Sequence, residues 1–425
     1  MTRRPHALDR VWQRPGAEAW SPPEKVGEAR RVAEAEGLRE RLPRRLRHRR
    51  LALSLAHDDH HRHLGGVQLY MRVEQQQLHD AGVSFVNLWP TEEAGRIGLS
   101  ADGRTLGRYS VDELATTLGS LSDIGLTLVG VDVHHLKGWA IDVVGRLVAA
   151  ANPPQTRFFI HDYYALCSNP NLTFGDSCFC GAPPPDSQVC RLCRHGAARL
   201  PHLTSMAQLL DELVTRTRVQ LIAPAQTAAD LFVRHHPQHA ARVRIVPHQA
   251  LVPTNIVGRI KRYRPRLGFV GFGAPIKGTT AWLRLLDTPA IRERFQLYHF
   301  GLCAVGCTAE HVDVDYGRQG ADAMTRTLTH HGLDFAFLWS TWPETFSFTL
   351  YESLAAGAYI LTNRHSGNIA AQVQRTGRGR VFRDDGELHR FLLDHAAVEQ
   401  ARRALAELPA YASEWNETLT NELIA

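Results

Sequence analysis

The sequence predicts an α/β protein of two doubly wound domains in series, facing one another across a cleft. Three observations carry that expectation. From Leu51 onward, short apolar runs alternate with helical stretches, the pattern of a parallel sheet covered by helices on both faces. The alternation breaks at a polar segment containing Arg and Pro, residues 249–265, and restarts at residue 266. The strand on which it restarts runs into Gly271 and Gly273, where backbone can approach a ligand.

Residues 1–50 read as a basic extension with a helix around 23–42, ending in Arg44-Arg45-Leu46-Arg47-His48-Arg49-Arg50. Two readings stay open for it: a solvated extension, or a segment that docks on anionic lipid or on a phosphate-bearing substrate. Nucleic acid is not expected as a partner, because no aromatic residues are interleaved with these arginines. The first domain spans 51–248, with strands expected at 51–56, 83–89, 126–134, 157–162, 219–224 and 243–247 and a helix at 67–80. Residues 163–195 form a long cysteine-rich insertion in it, and loops of that length are usually functional. Residues 249–265 are the expected linker. The second domain spans 266–397, with strands at 266–271, 295–300, 311–316, 334–340 and 358–362, and a helical segment at 398–425 closes the chain. In such sheets ligands bind at the carboxyl ends of the strands, which puts the cleft between the domains.

A chain of 425 residues suffices for two domains with sound cores. The formal net charge is +6, and no apolar run approaches the roughly 18 residues that span a bilayer. The N-terminus is rich in Arg and Pro and lacks the apolar core of a signal peptide. A cytoplasmic protein is therefore expected, with the basic segment as a candidate peripheral contact at the inner membrane face. Seven unevenly spaced cysteines do not read as a secreted disulfide framework.

The clearest chemistry lies in the second half. The apolar run 334–340 reads as a buried strand and leads into Pro343-Glu344-Thr345-Phe346-Ser347-Phe348-Thr349-Leu350-Tyr351-Glu352, which places Glu344 in a loop and Glu352 inside a helix. Ser347 and Thr349 sit where a helix start uses side-chain oxygens, and Gly357 where a helix end takes a left-handed residue. Free amides at that helix start make a seat for an anion. Lys277, at the end of the loop Gly271-Phe272-Gly273-Ala274-Pro275-Ile276-Lys277-Gly278, puts a cation where a diphosphate could be held.

With Glu344 and Glu352 spaced as E-x7-E, residues 343–357 resemble the donor-site signature of retaining nucleotide-sugar glycosyltransferases of the GT-B type, family 4. Residues 271–278 are similar to the phosphate-binding loop of that family. Ser366-Gly367-Asn368 resembles the glycine-containing loop that follows its signature, and Gly65-Gly66 its double-glycine loop. The resemblance implies the GT-B fold, two Rossmann-like domains facing a cleft. It also implies transfer of a sugar from a nucleoside diphosphate to a saccharide or lipid-linked acceptor, with no cofactor for catalysis. On it, Glu344 would hold hydroxyls of the donor sugar and Glu352 the ribose. Amides around Phe346, Ser347 and Phe348 would face sugar and diphosphate, and Lys277 would neutralise the leaving group. One position departs: the family's Arg just after the strand glycine is Phe272 here, which leaves the diphosphate one cation fewer. A nucleotide-sugar epimerase of the same architecture and a catalytically silent sugar-nucleotide-binding scaffold are the alternatives.

The first domain is expected to bind the acceptor. His134-His135 and His161-Asp162 end predicted strands, and the resemblance implies that His135 or His161, with Asp162 close by, approaches the donor sugar. The loop His57-Asp58-Asp59-His60-His61-Arg62-His63 reads as a flexible polar lining of the acceptor cleft or a metal site. Cys178, Cys180, Cys190 and Cys193 form C-x-C…C-x2-C, which can supply four thiolates to one structural zinc, with Cys167 and His195 as alternates. Free thiols, disulfides and an iron–sulfur cluster remain open for the same residues. Cys303 and Cys307 read as ordinary cysteines. The His161-Asp162-Tyr163-Tyr164…Cys167 pattern resembles a subgroup that builds bacterial surface polysaccharides.

Overall fold

A computed structural model of the chain describes residues 37–63, 65–175, 177–254, 263–301 and 308–424. Most of the helix expected around 23–42, together with Cys303 and Cys307, lies outside the described residues. Within the basic extension, helix Leu38–Arg45 buries Leu38 and Leu42 in the core of the first domain, so this part packs on the domain.

The strands of the first domain are β1 Arg50–Leu55, β2 Val83–Pro90, β3 Arg96–Ala101, β4 Arg104–Ser110, β5 Thr127–Val133 and β6 Thr156–Phe159. A small hairpin follows in the insertion, β7 Thr173–Phe174 with β8 Cys178–Phe179, and then β9 Val219–Ala223 and β10 Val243–Ile245. Their order is β10-β9-β6-β5-β1-β2-β3-β4, parallel except for the β3–β4 hairpin at the edge. That hairpin was not among the expected strands. Asp102 and Gly103, both at positive φ, make the tight turn that joins it.

Residues 249–254 were expected as linker and instead form β11 Gln249–Thr254. The second domain follows with β12 Arg266–Val270, β13 Gln296–Phe300, β14 Glu310–Val312, β15 Phe335–Phe337, β16 Tyr359–Asn363 and β17 Gly379–Phe382, ordered β14-β13-β12-β15-β16-β17 and parallel throughout. The closing segment, expected to be helical, contains helix His395–Glu407, then β18 Ala410–Trp415 antiparallel to β11, then helix Thr418–Ile424. This last helix returns to the first domain. Leu423 joins Met71 and Phe85 in one core cluster, and the carbonyls of Leu419 and Ile424 accept hydrogen bonds from Arg157 and Arg50. No helix among the described residues is long and apolar enough to cross a membrane.

Both sheets reverse direction at a defined point. In the first, β1 runs to β2 on one side while β5 lies on its other side; in the second, β12 runs to β13 on one side with β15 on the other. Crevices form at the carboxyl ends of strands at such switch points. The segments leaving β1, β12 and β15 are those that carry Gly65-Gly66, Gly271 and Glu344.

Candidate active site between the two domains

A cavity of about 330 Å³ lies where these segments meet. Gly65, Gly66, Gly271, Lys277, Glu344, Phe346, Ser347 and Phe348 line it, which unites most of the donor-side residues expected from sequence; Gly273 and Glu352 are not on its surface. A larger hollow of about 440 Å³, between Pro184, Leu203 and His235 of the first domain, has no carboxylate in its lining.

The turn at Pro343 carries Glu344 inward to 2% exposure. Its Oε1 accepts from Lys277 Nζ at 2.6 Å and from Ser340 Oγ at 2.9 Å. The 366–368 loop clamps the same turn: Asn368 N donates to the Glu344 carbonyl at 2.9 Å. Gly367 sits at φ 58°, where an added Cβ would lie 2.6 Å from the Pro343 carbonyl carbon, so the approach requires glycine. Lys277 Nζ also lies 5.6 Å from the centre of the Trp342 ring.

Helix Phe348–Ala355 starts beside this pair. Ser347, its N-cap, makes no side-chain cap; Ser347 Oγ and Thr349 Oγ1 bond one another at 3.1 Å instead. The expected capping by these hydroxyls is therefore not made, and the first-turn amides keep no side-chain partner. Gly357 takes the expected left-handed conformation, φ 77°. Across the cavity, helix Gly66–Asp80 also begins without a side-chain cap, and an added Cβ on Gly66 would lie 3.6 Å from the Phe348 ring. Two helix starts thus converge on one cavity, each with the partial positive charge that favours an anion.

Glu352 is buried one turn into its helix, with both carboxyl oxygens 3.0 Å from the Tyr316 hydroxyl. Burial pushes its pKa up to about 8, against the pull of that hydroxyl. Tyr316 itself lines the cavity and stands between it and Glu352. The sequence reading missed Tyr316 and placed it at the end of a strand, 311–316, whereas β14 ends at Val312 and Tyr316 opens helix Tyr316–Gln319.

The histidines are arranged differently from the expectation. Both ring nitrogens of His161 are engaged: Nε2 lies 3.0 Å from His134 Nδ1 and Nδ1 lies 3.1 Å from His248 Nε2. His134 Nε2 in turn lies 3.0 Å from the buried carboxylate of Glu74. Burial holds His161 well below the ordinary histidine range and His248 down at about 3. The His161 ring is thus turned into a buried chain, and the cavity lining does not include it. It is the His161 carbonyl that reaches the other domain, by accepting from the Thr345 hydroxyl. His135 Nε2 pairs with Asp162 Oδ2 at 2.5 Å, joining the ends of β5 and β6, and its ring lies 4.3 Å from that of His57. Tyr70, Glu74 and His248, which complete the chain, were not singled out from the sequence.

The loop of residues 57–63 is tied down. Gln75 Oε1 is 3.0 Å from Nε2 of both His60 and His61, and Arg72 donates to the carbonyls of His60, His61 and His63. Glu74, Asp132 and His134 bring ligand atoms close enough for a metal, but the guanidinium of Arg157 already occupies that position. It pairs with Asp132 at 2.5 Å and Glu74 at 3.1 Å. In the insertion, Cys167, Cys180, Cys190 and Cys193 line one small cavity together with His195, whereas Cys178 is exposed on β8 and outside it.

Neither a known protein-family profile nor a curated protein matches the sequence. Solved structures do match the fold. Anabaena Alr3699/HepE in complex with UDP-glucose superposes with a TM-score of 0.52 at 11% identity, over 88% of this chain and 98% of that one. The same protein with UDP and glucose gives 0.50 at 12%, over 84% and 93%. The glycosyltransferase SnogD from Streptomyces nogalater aligns over 85% and 94% at 14% identity, with a TM-score of 0.37. At such identities the likeness to the two HepE complexes, with TM-scores of 0.52 and 0.50, establishes the fold: the chain is a GT-B protein of two Rossmann-like domains.

Proposed function

We propose that this GT-B chain is a retaining glycosyltransferase that moves a sugar from a nucleoside diphosphate to a saccharide or lipid-linked acceptor. The observation that carries the reading is the Lys277–Glu344 pair at 2.6 Å on the wall of a cavity into which two uncapped helix starts point. A carboxylate grips vicinal hydroxyls of a hexose, a lysine neutralises a diphosphate, and helix amides cradle its oxygens. Glu344 then holds the donor sugar, Lys277 and the amides near Gly66 and Phe348 hold the diphosphate, and Glu352 with Tyr316 holds the ribose. In the transfer the bond from the anomeric carbon to the leaving phosphate oxygen breaks while the acceptor oxygen bonds on the same face. The acceptor proton passes to the departing diphosphate, so the chain supplies position and charge. The His-Asp-Tyr-Tyr…Cys pattern supports a place in bacterial surface polysaccharide or glycan synthesis.

A specific observation favours a second reading, a sugar-nucleotide-binding scaffold. Phe272 lines the cavity half exposed where the resemblance implies an Arg, and Lys277 is the sole cation among the described lining residues. Incubation with UDP-, GDP- and dTDP-sugars, with and without saccharide and lipid-linked acceptors, separates the readings. Nucleoside diphosphate release that requires acceptor, with the anomeric configuration kept in the product, supports transfer. Binding without turnover selects the scaffold, and an altered nucleotide sugar without acceptor selects an epimerase.

A further inference from the structure

The helix that follows the insertion holds a positive charge with no carboxylate beside it among the described residues. Arg199 is 2% exposed in helix Gly196–Arg216. Its Nε reaches the Leu166 carbonyl at 3.4 Å, its Nη1 lies 2.7 Å from Cys190 Sγ, and its Nη2 is buried without a hydrogen-bond partner. No carboxylate pairs with it among the described residues. An ionised guanidinium is costly to bury without a counter-charge, of order several kcal/mol. The groups around it that can become anionic are sulfurs: Cys167, Cys180, Cys190 and Cys193 line a cavity of about 20 Å³ against Arg199. That volume suits one water or one ion.

Four thiolates repel one another unless a cation sits among them, and a divalent ion among four thiolates leaves a net negative charge for a guanidinium to offset. The chain geometry suits such a site. Cys190 and Cys193 share one turn, closed by Cys193 N donating to the Cys190 carbonyl at 3.1 Å. Cys167 comes from the turn that follows His161 and Asp162, and Cys180 from the end of the hairpin, so the four residues join the two roots of the insertion. Cys178, by contrast, is exposed, its sulfur 4.0 Å from the Phe174 carbonyl. Among the described residues no three of these ligand atoms lie within 4.8 Å of one another, so binding draws the Cys190–Cys193 turn onto Cys167 and Cys180.

We propose that Cys167, Cys180, Cys190 and Cys193 hold one tetrahedral zinc ion, with Arg199 as its buried counter-charge. The ion fastens the insertion where it leaves the cleft. Tyr163, four residues before Cys167, packs edge-on against Trp342 of the other domain, the ring beneath Lys277.

The test is elemental analysis of the full chain, purified without a polyhistidine tag, together with an acid-labile sulfide assay and X-ray absorption at the zinc edge. About one zinc per chain, no sulfide and a shell of four sulfurs are expected. Cys178→Ser keeps the metal and Cys167→Ser loses it. The absorption spectrum of the wild-type protein counts sulfurs whether or not Cys167→Ser folds. Metal-free protein with titratable thiols or disulfides, iron with labile sulfide, a shell in which nitrogen replaces a sulfur, or metal lost with Cys178 and kept without Cys167 would each overturn the proposal.

Discussion

Glu352 supplies the sharpest test of the site, because its protonation opposes the role assigned to it. A carboxyl that accepts hydrogen bonds from ribose hydroxyls works best ionised, yet burial sets its pKa at about 8 in the free protein. With that value about one molecule in ten is ionised at pH 7, so nucleotide binding there carries a cost of about 1.4 kcal/mol, a tenfold loss of affinity. Affinity for a nucleotide sugar, whose diphosphate ester does not titrate in this range, therefore rises about tenfold per pH unit from pH 6 toward 8 and then levels. Glu352→Gln abolishes the slope and weakens binding at pH 9 by about 1.5–3 kcal/mol, the worth of a hydrogen bond to a charged group.

Stability moves the opposite way. A raised folded pKa leaves stability intact below the ordinary value of 4.5 and erodes it as pH climbs through the window from there to about 8. Glu352→Gln removes that erosion, so the variant is more stable than wild type at pH 8 by a few kcal/mol while binding donor less well. Isothermal titration across pH 6–9 and urea melts at pH 5 and 8 measure both limbs. A flat binding profile in wild type, or a slope that survives in Glu352→Gln, would refute the reasoning.

The other predictions share this physics. Tyr316→Phe removes the hydroxyl that lowers the Glu352 pKa, so the same binding titration shifts to higher pH. Lys277→Ala lowers kcat about 100- to 1,000-fold in steady-state assays with acceptor, because the charge of the leaving diphosphate loses its partner; Lys277→Arg recovers part of it, and unchanged kcat in the alanine variant removes Lys277 from the mechanism. Arg157→Met strands Asp132 and Glu74 as buried carboxylates and costs about 3–5 kcal/mol in urea denaturation at neutral pH, a loss that shrinks in acid as the carboxylates take up protons.

What the sequence disclosed was the part governed by local chemistry. The strands of both sheets are apolar runs bounded by turns, and the Glu344–Glu352 unit carries its strand, turn and helix within thirty residues, so short-range pattern suffices. The β3–β4 hairpin did carry a local sign, Asp102-Gly103, which the expectation of a purely parallel sheet left unused. The pairing of β11 with β18 had no local sign at all: partners in a segment that looks like linker lie far along the chain, and only tertiary contact makes them strands. The same holds for the site. Tyr316 becomes a partner of Glu352 through the packing of two helices far apart in sequence, and Cys167 rather than Cys178 faces the sulfur-lined cavity because Cys178 is exposed on its hairpin.

The histidine chain shows most clearly how a residue type can be read correctly and its use missed. Glu74, His134, His161 and His248 form one line of contacts. Burial keeps His161 and His248 neutral, and the line ends at the buried Nδ1 of His248, which has no hydrogen-bond partner. At the other end the Glu74 carboxylate is held below its ordinary range by His134 and Arg157 in spite of burial. His161 is left with no ring nitrogen for a ligand. Its carbonyl accepts from Thr345, the neighbour of Glu344, so a histidine at a strand end joins the two domains beside the cavity that Glu344 lines.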